Sequence, residues 1–207
     1  MVEPADSTTE FGTTIVGLVA DDAVVLASDR RASMGGMVSS KRAQKLFSVA
    51  DRAALAFTGS VGAAQALVPE LEREVRLYEL RRDARMSVEA LAARTAGLMR
   101  ERPMHLQHIL GGVDDDGAHL FSFDAAGGAL AQPFAADGSG GPTAYGVLEA
   151  GYDDGLGRDD ARSLAADAVA AACERDLASG NGLAVTTLTG AGDVAVDTYD
   201  DPDAVTS

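Results

Sequence analysis

The sequence contains no tryptophan, one cysteine and only two lysines. The single Cys173 cannot form a disulfide within the chain, as expected for a protein of a reducing compartment. No apolar run approaches the ~18 residues of a membrane-spanning helix. The first segment, MVEPADSTTEFG, lacks the basic and apolar regions of a signal peptide. We therefore expect a soluble, cytoplasmic protein with no membrane partner.

Positive charge is also scarce. The 207 residues include 32 acidic and 17 basic side chains, which gives a formal net charge of −15. Phosphate binding requires a basic surface, so this composition argues against a nucleic-acid partner. An acidic, lysine-poor surface is typical of a cytoplasm rich in salt, where screening weakens repulsion between like charges. The alternative is an ordinary acidic protein from a GC-rich genome.

The first half of the chain predicts strands followed by two helices. TTIVGLVA and AVVLASD flank Asp21–Asp22 and predict a hairpin, and MVSS, KLFSVA and AALAFTG continue the β pattern. Residues Val61–Arg82 have apolar side chains at a helical spacing. Ser87 is placed to cap a second helix, which Pro103 ends.

The second half repeats this order. LQHILGGVDD, AHLFSFD and GALAQPF each predict one strand, bounded by glycine or aspartate. A short helix is predicted around Tyr145–Ala150, and a longer one over Arg158–Leu177 with Gly180 as its C-cap. LAVTTLTG and DVAVDTY predict a final hairpin.

This element order favours an α+β fold over a βαβ repeat. A four-layer αββα sandwich, with two stacked antiparallel sheets flanked by helices, would bury every apolar stripe. No linker or internal repeat indicates a second domain, and 207 residues fit one domain. We expect residues 1–12 to be loosely held, residues 13–200 to form the domain, and residues 201–207 to form a flexible acidic tail.

The Gly12–Thr13 junction is a candidate for nucleophilic chemistry. A hydroxyl is a poor nucleophile unless a base lies within hydrogen-bond reach. A threonine that begins a chain carries its own base, because its α-amino group, with a pKa of about 7.7–8.0, can accept the proton. Such a threonine needs a removable leader. Cleavage of the Gly12–Thr13 bond would release Thr13 and discard residues 1–12 as a propeptide.

Two charged residues, Asp29 and Lys45, lie near the ends of predicted strands that follow Thr13. Asp29 ends the second predicted strand, and Lys45 lies in AQKLFSVA. Hairpin pairing would bring both residues close to Thr13, where a lysine would lower the pKa of the amine by like-charge repulsion. Asp29 would keep that lysine charged and fixed. The alternative is a surface lysine on an edge strand, but a chain with only two lysines retains one here.

Six segments then resemble a known family. GTTIVG, LASDRRASMG, QKLF, AFTGSVG, GSGGPTAYGVLE and ERDLASGNG are similar, in order and nearly in spacing, to archaeal-type 20S proteasome β subunits. These are threonine proteases of the N-terminal nucleophile (Ntn) hydrolase class. The resemblance covers Gly12 to about Tyr199. It implies the Ntn-hydrolase fold, endopeptidase activity, self-cleavage at Gly12–Thr13 and no cofactor or metal.

The resemblance also assigns catalytic roles by position. Thr13 matches the nucleophile, and Asp29 and Lys45 match its charged pair. Gly59 matches the residue whose backbone N–H stabilises the oxyanion, a role for which a preorganised donor is well suited.

Outer positions are assigned in the same way. Ser139, Asp176 and Ser179 match residues that orient the threonine amine and are needed for self-cleavage. Arg31 and the backbone of Ser33 match positions that support the site and pair with an extended substrate.

The specificity pocket is also carried over from the family. Its matching residues are Ala32, Ala43, Phe57 and Val61. All are apolar, so the resemblance implies cleavage after hydrophobic residues, with Phe57 restricting the largest ones.

The family further implies partners. The chain would lie in stacked seven-membered rings with other β subunits, flanked by proteasome α subunits, and a regulatory ATPase would deliver unfolded polypeptides. One alternative is the bacterial two-component ATP-dependent peptidase with six-membered rings, whose start and SGGP loop are similar. The other is a structural ring subunit that never matures.

Three further sequence features are weaker candidates for a functional site. His105 and His108, followed by Asp114–Asp116, could suggest a metal site, but zinc sites have tighter signatures with cysteine or a third histidine. Cys173 as a nucleophile would need a histidine base, and a small core residue is the simpler interpretation. GSGG lacks the Lys-Ser/Thr of a phosphate-binding loop.

Overall fold

The computed structural model describes residues 11–102, 106–192, 194–201 and 204–205. The predicted propeptide therefore lies outside the described residues except for its last two, and the predicted tail lies partly outside them. The strands are β1 (Phe11–Gly12), β2 (Ile15–Val19), β3 (Ala23–Asp29), β4 (Ala32–Met34), β5 (Met37–Ser40), β6 (Leu46–Ala50), β7 (Ala53–Gly59), β8 (Leu106–Asp114), β9 (Gly117–Phe123), β10 (Ala129–Ala131), β11 (Phe134–Asp137), β12 (Leu183–Thr189) and β13 (Val196–Tyr199). The helices are α1 (Val61–Arg82), α2 (Val88–Glu101), α3 (Gly141–Gly151) and α4 (Arg158–Arg175).

Two five-stranded antiparallel sheets are stacked between two pairs of helices. The first sheet has the strand order β11-β2-β3-β12-β13, and the second has the order β10-β9-β8-β7-β6. Helices α3 and α4 pack on the outer face of the first sheet, whereas α1 and α2 pack on the second. The predicted α+β class and αββα sandwich are therefore confirmed.

Strand β3 shows why the sequence stacks in layers. Successive side chains of a strand point to opposite faces. In β3 the side chains of Val24 and Leu26 lie between the sheets, while Val25 and Ala27 pack against the α3 and α4 layer. All seven residues of β3 are buried, because the strand is covered on both faces. This explains its continuous apolar pattern.

A small third sheet, β1-β4-β5, was not predicted. Strand β1 pairs antiparallel with β4, with Phe11 opposite Met34 and Gly12 opposite Ser33. The turn from β4 to β5 contains Gly35 and Gly36 at φ +59° and +77°, a left-handed backbone that glycine adopts without strain. The last two residues before Thr13 are thus held in a strand.

Several helix boundaries agree with the sequence patterns. Helix α1 covers Val61–Arg82 as predicted, and Ser87 caps α2 by accepting a hydrogen bond from the Ala90 N–H at 3.2 Å. Helix α3 begins at Gly141, earlier than the predicted Tyr145. Among the described residues, none of the helices combines the length and apolar content needed to cross a bilayer.

Two predicted elements are wrong. GALAQPF is not one strand but two, since β10 joins the second sheet and β11 the first. The break falls at Pro133, which has no N–H to continue a ladder. Helix α4 ends at Arg175 with Asp176 as its C-cap, so Gly180 does not cap it. The Gly180 N–H instead donates to Asp29 Oδ2 at 3.0 Å.

Candidate active site

Thr13 lies between β1 and β2 and is almost wholly buried, with 3% of its surface exposed. Its Oγ1 donates a hydrogen bond to Asp29 Oδ1 at 2.8 Å. Lys45 Nζ contacts both groups, since it donates to Thr13 Oγ1 and, at 2.5 Å, to Asp29 Oδ1. Asp29 ends β3 in the first sheet, and Lys45 precedes β6 in the second. Stacking of the two sheets therefore brings these three predicted residues together.

Asp29 is held in one orientation by further donors. Oδ1 also accepts the Thr14 N–H at 2.8 Å. Oδ2 accepts the N–H groups of Arg31 and Gly180 at 2.9 and 3.0 Å. A buried carboxylate is stable when such donors satisfy its oxygens. The fully buried Asp29 is thus a fixed acceptor for Lys45.

Burial and the Asp29 carboxylate act in opposite directions on the pKa of Lys45. Burial lowers the pKa of Lys45 and outweighs the Asp29 carboxylate, which acts to raise that pKa. That Asp29 keeps this lysine charged and fixed stays a prediction. Removing an ammonium from water is costly, and a single partner only partly compensates.

A second set of hydrogen bonds surrounds the Thr13 nitrogen. Thr13 N–H donates to Ser139 Oγ at 3.1 Å. Ser139 Oγ donates to Asp176 Oδ2 at 2.6 Å, and Ser179 Oγ donates to the same oxygen at 2.6 Å. These three predicted outer residues come from the loop before α3 and the loop after α4. They meet on the nitrogen side of Thr13, away from Lys45.

Arg31 and Ser33 hold the loop after α4. Arg31 donates to the Leu177 carbonyl at 2.8 Å and to Asn181 Oδ1 at 2.9 Å. Ser33 Oγ donates to the Ala178 carbonyl at 3.2 Å. The family resemblance had placed Asp176 and Ser179 of this loop in the site. It did not identify the contacts that hold the loop, which join residues about 150 positions apart, such as Arg31 and Asn181.

An apolar cavity of about 230 Å³ opens beside Thr13. It is lined by the four predicted pocket residues and by residues not predicted, among them Met34, Ser39, Gln44 and Thr58. Phe57 packs against Phe47, with ring centroids 5.5 Å apart. Gly59 lines the same cavity at φ +109°, a backbone conformation that favours glycine. A larger cavity of about 460 Å³, at the turn between β6 and β7, contains none of the predicted site residues.

The structure gives His108 and Cys173 no place in the candidate site. His108 is completely buried, stacks on Phe123 at 4.3 Å, and has no hydrogen-bond partner among the described residues. Burial lowers the pKa of His108 to about 3. His105 lies outside the described residues, and within those described no three histidine, cysteine or acidic side chains form a metal-binding group. Burial raises the pKa of Cys173 to about 12, which disfavours the reactive thiolate.

Comparison with known proteins gives one consistent result. The family model described as proteasome subunit matches residues 9–188. The chain is 50% identical over 193 residues to the proteasome subunit beta of Halorubrum lacusprofundi, covering 93% of this chain and 79% of that protein. It is 48% identical over 187 residues to the subunit of Halobacterium salinarum, covering 89% and 77%. Identity to the Haloferax volcanii subunit is 46% over 188 residues, covering 90% and 77%. These organisms are halophilic archaea, which supports the interpretation of the acidic composition.

Proposed function

The chain belongs to the proteasome subunit family, and from this premise we propose that it is a threonine endopeptidase, the proteolytic core subunit of a proteasome that degrades unfolded proteins. One observation carries the proposal. Thr13 Oγ1 contacts both Asp29 and Lys45 and borders an apolar cavity. A hydroxyl with charged partners and a neighbouring substrate pocket is the arrangement expected of an activated nucleophile.

The proposed reaction uses the nitrogen that Thr13 exposes after maturation. Ser139 Oγ, which accepts the Thr13 N–H, would orient the free amine so that its lone pair can take the Oγ1 proton. The Lys45 ammonium would stabilise the developing alkoxide and lower the pKa of the amine. Oγ1 then attacks the peptide carbonyl, and the amine returns its proton to the leaving nitrogen. Water releases the acyl group, with the amine again acting as base.

Gly59 is proposed to stabilise the oxyanion through its backbone N–H. A preorganised donor at the developing negative charge is commonly the largest single contribution to catalysis. Gly59 lines the cavity next to Thr13, and its φ of +109° fixes the direction of that peptide group. A glycine here also allows a substrate backbone to approach closely.

Maturation is proposed to use the same groups. Thr13 Oγ1 would attack the Gly12 carbonyl carbon, the C–N bond would break, and the nitrogen would take a proton to become the amine. Water would then hydrolyse the resulting ester and release residues 1–12. The pairing of Phe11 and Gly12 with β4 supports this, because the leader already lies as an extended strand against the site. Substrates would take the same path and pair with the Ser33 backbone.

The pocket supports cleavage after hydrophobic residues. Ala32, Ala43, Phe57 and Val61 give it an apolar lining. The buried Phe57 ring, held against Phe47, limits its depth, so medium-sized apolar side chains should be preferred over the largest.

Family membership implies assembly with other proteasome subunits in rings. We propose stacked seven-membered rings in the cytoplasm, with other β subunits in the ring, α subunits outside and a regulatory ATPase supplying unfolded polypeptides. Residues 1–12 would be the propeptide, 13–200 the domain and 201–207 the tail. The six-membered-ring peptidase is less favoured, because the three relatives described above are proteasome β subunits. The non-maturing subunit is less favoured because every predicted catalytic position has the expected residue.

Covalent capture tests the proposed nucleophile. Assembled particles would be incubated with a peptide vinyl sulfone in which leucine is the residue next to the vinyl sulfone group. The modified residue of the protein would then be located by peptide mass spectrometry. We expect one adduct, an ether on Thr13 Oγ, and no adduct in Thr13→Ala particles. An adduct on another residue, or equal labelling of the variant, would show that Thr13 is not the nucleophile.

A further inference from the structure

The residue after the proposed nucleophile is a second buried threonine. Because side chains alternate along an extended segment, Thr14 faces away from Thr13 and Lys45. Its side chain lies on the α3 and α4 side of the first sheet and is fully buried. Thr14 Oγ1 lies 2.7 Å from Ser179 Oγ. Two adjacent hydroxyls thus reach opposite sides of one strand, one toward the charged pair and the other toward the network around the Thr13 nitrogen.

The donor of each hydrogen bond in this network can be assigned. An ionised carboxylate only accepts, and a serine hydroxyl has one proton. Ser179 donates its proton to Asp176 Oδ2 at 2.6 Å, so Thr14 must be the donor to Ser179. Ser139 likewise donates to Asp176, at 2.6 Å, and therefore accepts from Thr13 N–H. Both branches of the network end on Asp176.

Gly140 provides the space that the Thr14 hydroxyl occupies. A methyl group on Gly140 would fall well inside van der Waals contact with Thr14 Oγ1 and 2.9 Å from Ala172 Cβ. The φ of Gly140 is −86°, so the backbone alone would accept alanine. Neighbouring Gly141 differs, since a methyl group there would come no closer than 3.6 Å, to the Ala136 carbonyl carbon. Of these two glycines, therefore, only Gly140 must lack a side chain to leave room for the Thr14 hydroxyl.

We propose that Thr14 is a positioning residue for peptide hydrolysis, which acts through Ser179 and Asp176 on the Thr13 amine. The missing side chain of Gly140 leaves the space that the Thr14 hydroxyl occupies. This inference rests on the proposed function. Donation from Thr14 polarises the Ser179 hydroxyl, which then donates more strongly to Asp176. Asp176 is thereby held in place to accept Ser139, and Ser139 is left free to orient the amine.

The test compares Thr14→Val with Thr14→Ser in assembled particles. Valine keeps the branched shape and removes the hydroxyl, whereas serine keeps the hydroxyl. The rates are divided by the number of mature chains, which begin at Thr13 and are counted by intact mass. On this basis Thr14→Val should lower kcat on the order of 3–10-fold with KM unchanged. Thr14→Ser should stay within about twofold of the parent, since the hydrogen bond is retained.

The pH profile gives a readout that packing alone would not change. The charged and titratable groups near the Thr13 nitrogen include Asp29, Lys45, Asp176, Arg31, Asp137 of β11 and Cys173 of α4, and both variants retain all six. Loss of the Thr14 hydroxyl weakens the Ser179 hydrogen bond and leaves more negative charge on Asp176. That charge favours the protonated amine, so the acidic limb of kcat against pH should move to higher pH in Thr14→Val only.

Gly140→Ala and Gly141→Ala form a matched pair that leaves Thr14 unchanged. Gly140→Ala should displace the hydroxyl and reproduce the kcat loss and the shifted acidic limb, while Gly141→Ala should keep parental values. This pair decides the matter if Thr14→Val fails to assemble. Parental kcat and pH profile in Thr14→Val, equal losses in Thr14→Val and Thr14→Ser, or equal behaviour of the two glycine variants would each overturn the inference. Parent particles lacking peptidase activity would instead refute the proposed function.

Discussion

Lys45 and Asp29 form an ion pair that joins the two stacked sheets at the candidate site. Nζ and Oδ1 are 2.5 Å apart, and both side chains are nearly excluded from solvent. Burial nevertheless lowers the pKa of Lys45, which makes its proton easier to lose than that of an ordinary lysine. The pair therefore places the Lys45 Nζ directly against Thr13 Oγ1. Loss of the lysine would leave the Asp29 carboxylate buried without its partner.

Lys45→Met should abolish most of the peptidase activity. It removes the charge proposed to stabilise the attacking oxygen, and we expect a loss of at least about 100-fold in kcat together with retention of the leader. Lys41→Met is the matched control, because the only other lysine is exposed. Fluorogenic-peptide hydrolysis measures the first effect and intact mass the second. Full turnover in Lys45→Met would rule out the role assigned to this lysine.

Gly12→Ala should slow maturation. A methyl group at Gly12 would overlap Ala178 Cβ and lie 3.0 Å from Ser139 Oγ, so the leader could not keep its place against β4. The measurement is the fraction of chains that retain residues 1–12 at successive times after assembly. Gly146→Ala, where a methyl group meets nothing within 4 Å, serves as the control. Equal maturation rates for the two variants would contradict the tight fit.

His108 should make the fold sensitive to acid. Its pKa is about 3 in the folded chain and 6.5 when unperturbed, so the unfolded chain binds the proton first as pH falls below 6.5. Stability is then lost progressively down to about pH 3, and the loss between pH 6.5 and 5 should be about 2 kcal/mol from this group. His108→Leu should remove this dependence, whereas His119→Leu, at a partly exposed site, should not. Denaturant unfolding of the full-length chain at the two pH values, at constant salt, provides the comparison; an unchanged pH slope in His108→Leu would refute it.

Assembly should depend on salt. A net charge of −15 on each precursor chain opposes close packing of copies in a ring, and removal of residues 1–12 takes away only three acidic side chains, Glu3, Asp6 and Glu10. The screening length shrinks from about 10 Å at 0.1 M salt to about 3 Å at 1 M, so rings should persist in molar salt and dissociate on dilution. Size-exclusion chromatography across a salt series measures this. Intact rings in dilute buffer would exclude a salt requirement.

The sequence predicted those features that local patterns encode. The apolar periodicity of Val61–Arg82 and the capping serine Ser87 defined α1 and α2, because helix ends depend on nearby residues. The pairing of β2 with β3 followed from the turn at Asp21–Asp22. Meeting of Thr13, Asp29 and Lys45 was expected from hairpin pairing and from family resemblance together.

The features that were missed depend on contacts between distant parts of the chain. Pro133 divides a single apolar pattern between two sheets, and only the stacked arrangement decides which sheet each half joins. Thr14 meets Ser179 across 165 positions, and no periodicity in the sequence marks that pair. The lowered pKa of Lys45 likewise depends on burial by the complete core around it, which no local sequence pattern shows.

Thr13→Ala tests whether the Thr13 hydroxyl is needed for both maturation and peptide hydrolysis. The variant lacks the hydroxyl proposed to attack Gly12, so assembled particles should keep residues 1–12 and hydrolyse no peptide. Thr13→Ser, which keeps a hydroxyl and a terminal amine, should still mature and retain activity. Maturation of Thr13→Ala in purified particles would mean that another group cuts the leader.

The most direct measurement is the intact mass of this chain in purified, peptidase-active particles. The account predicts the mass of residues 13–207, with Thr13 as the first residue. A mass that includes residues 1–12 in fully active particles would contradict it, because Thr13 would then have no free amine to serve as its base.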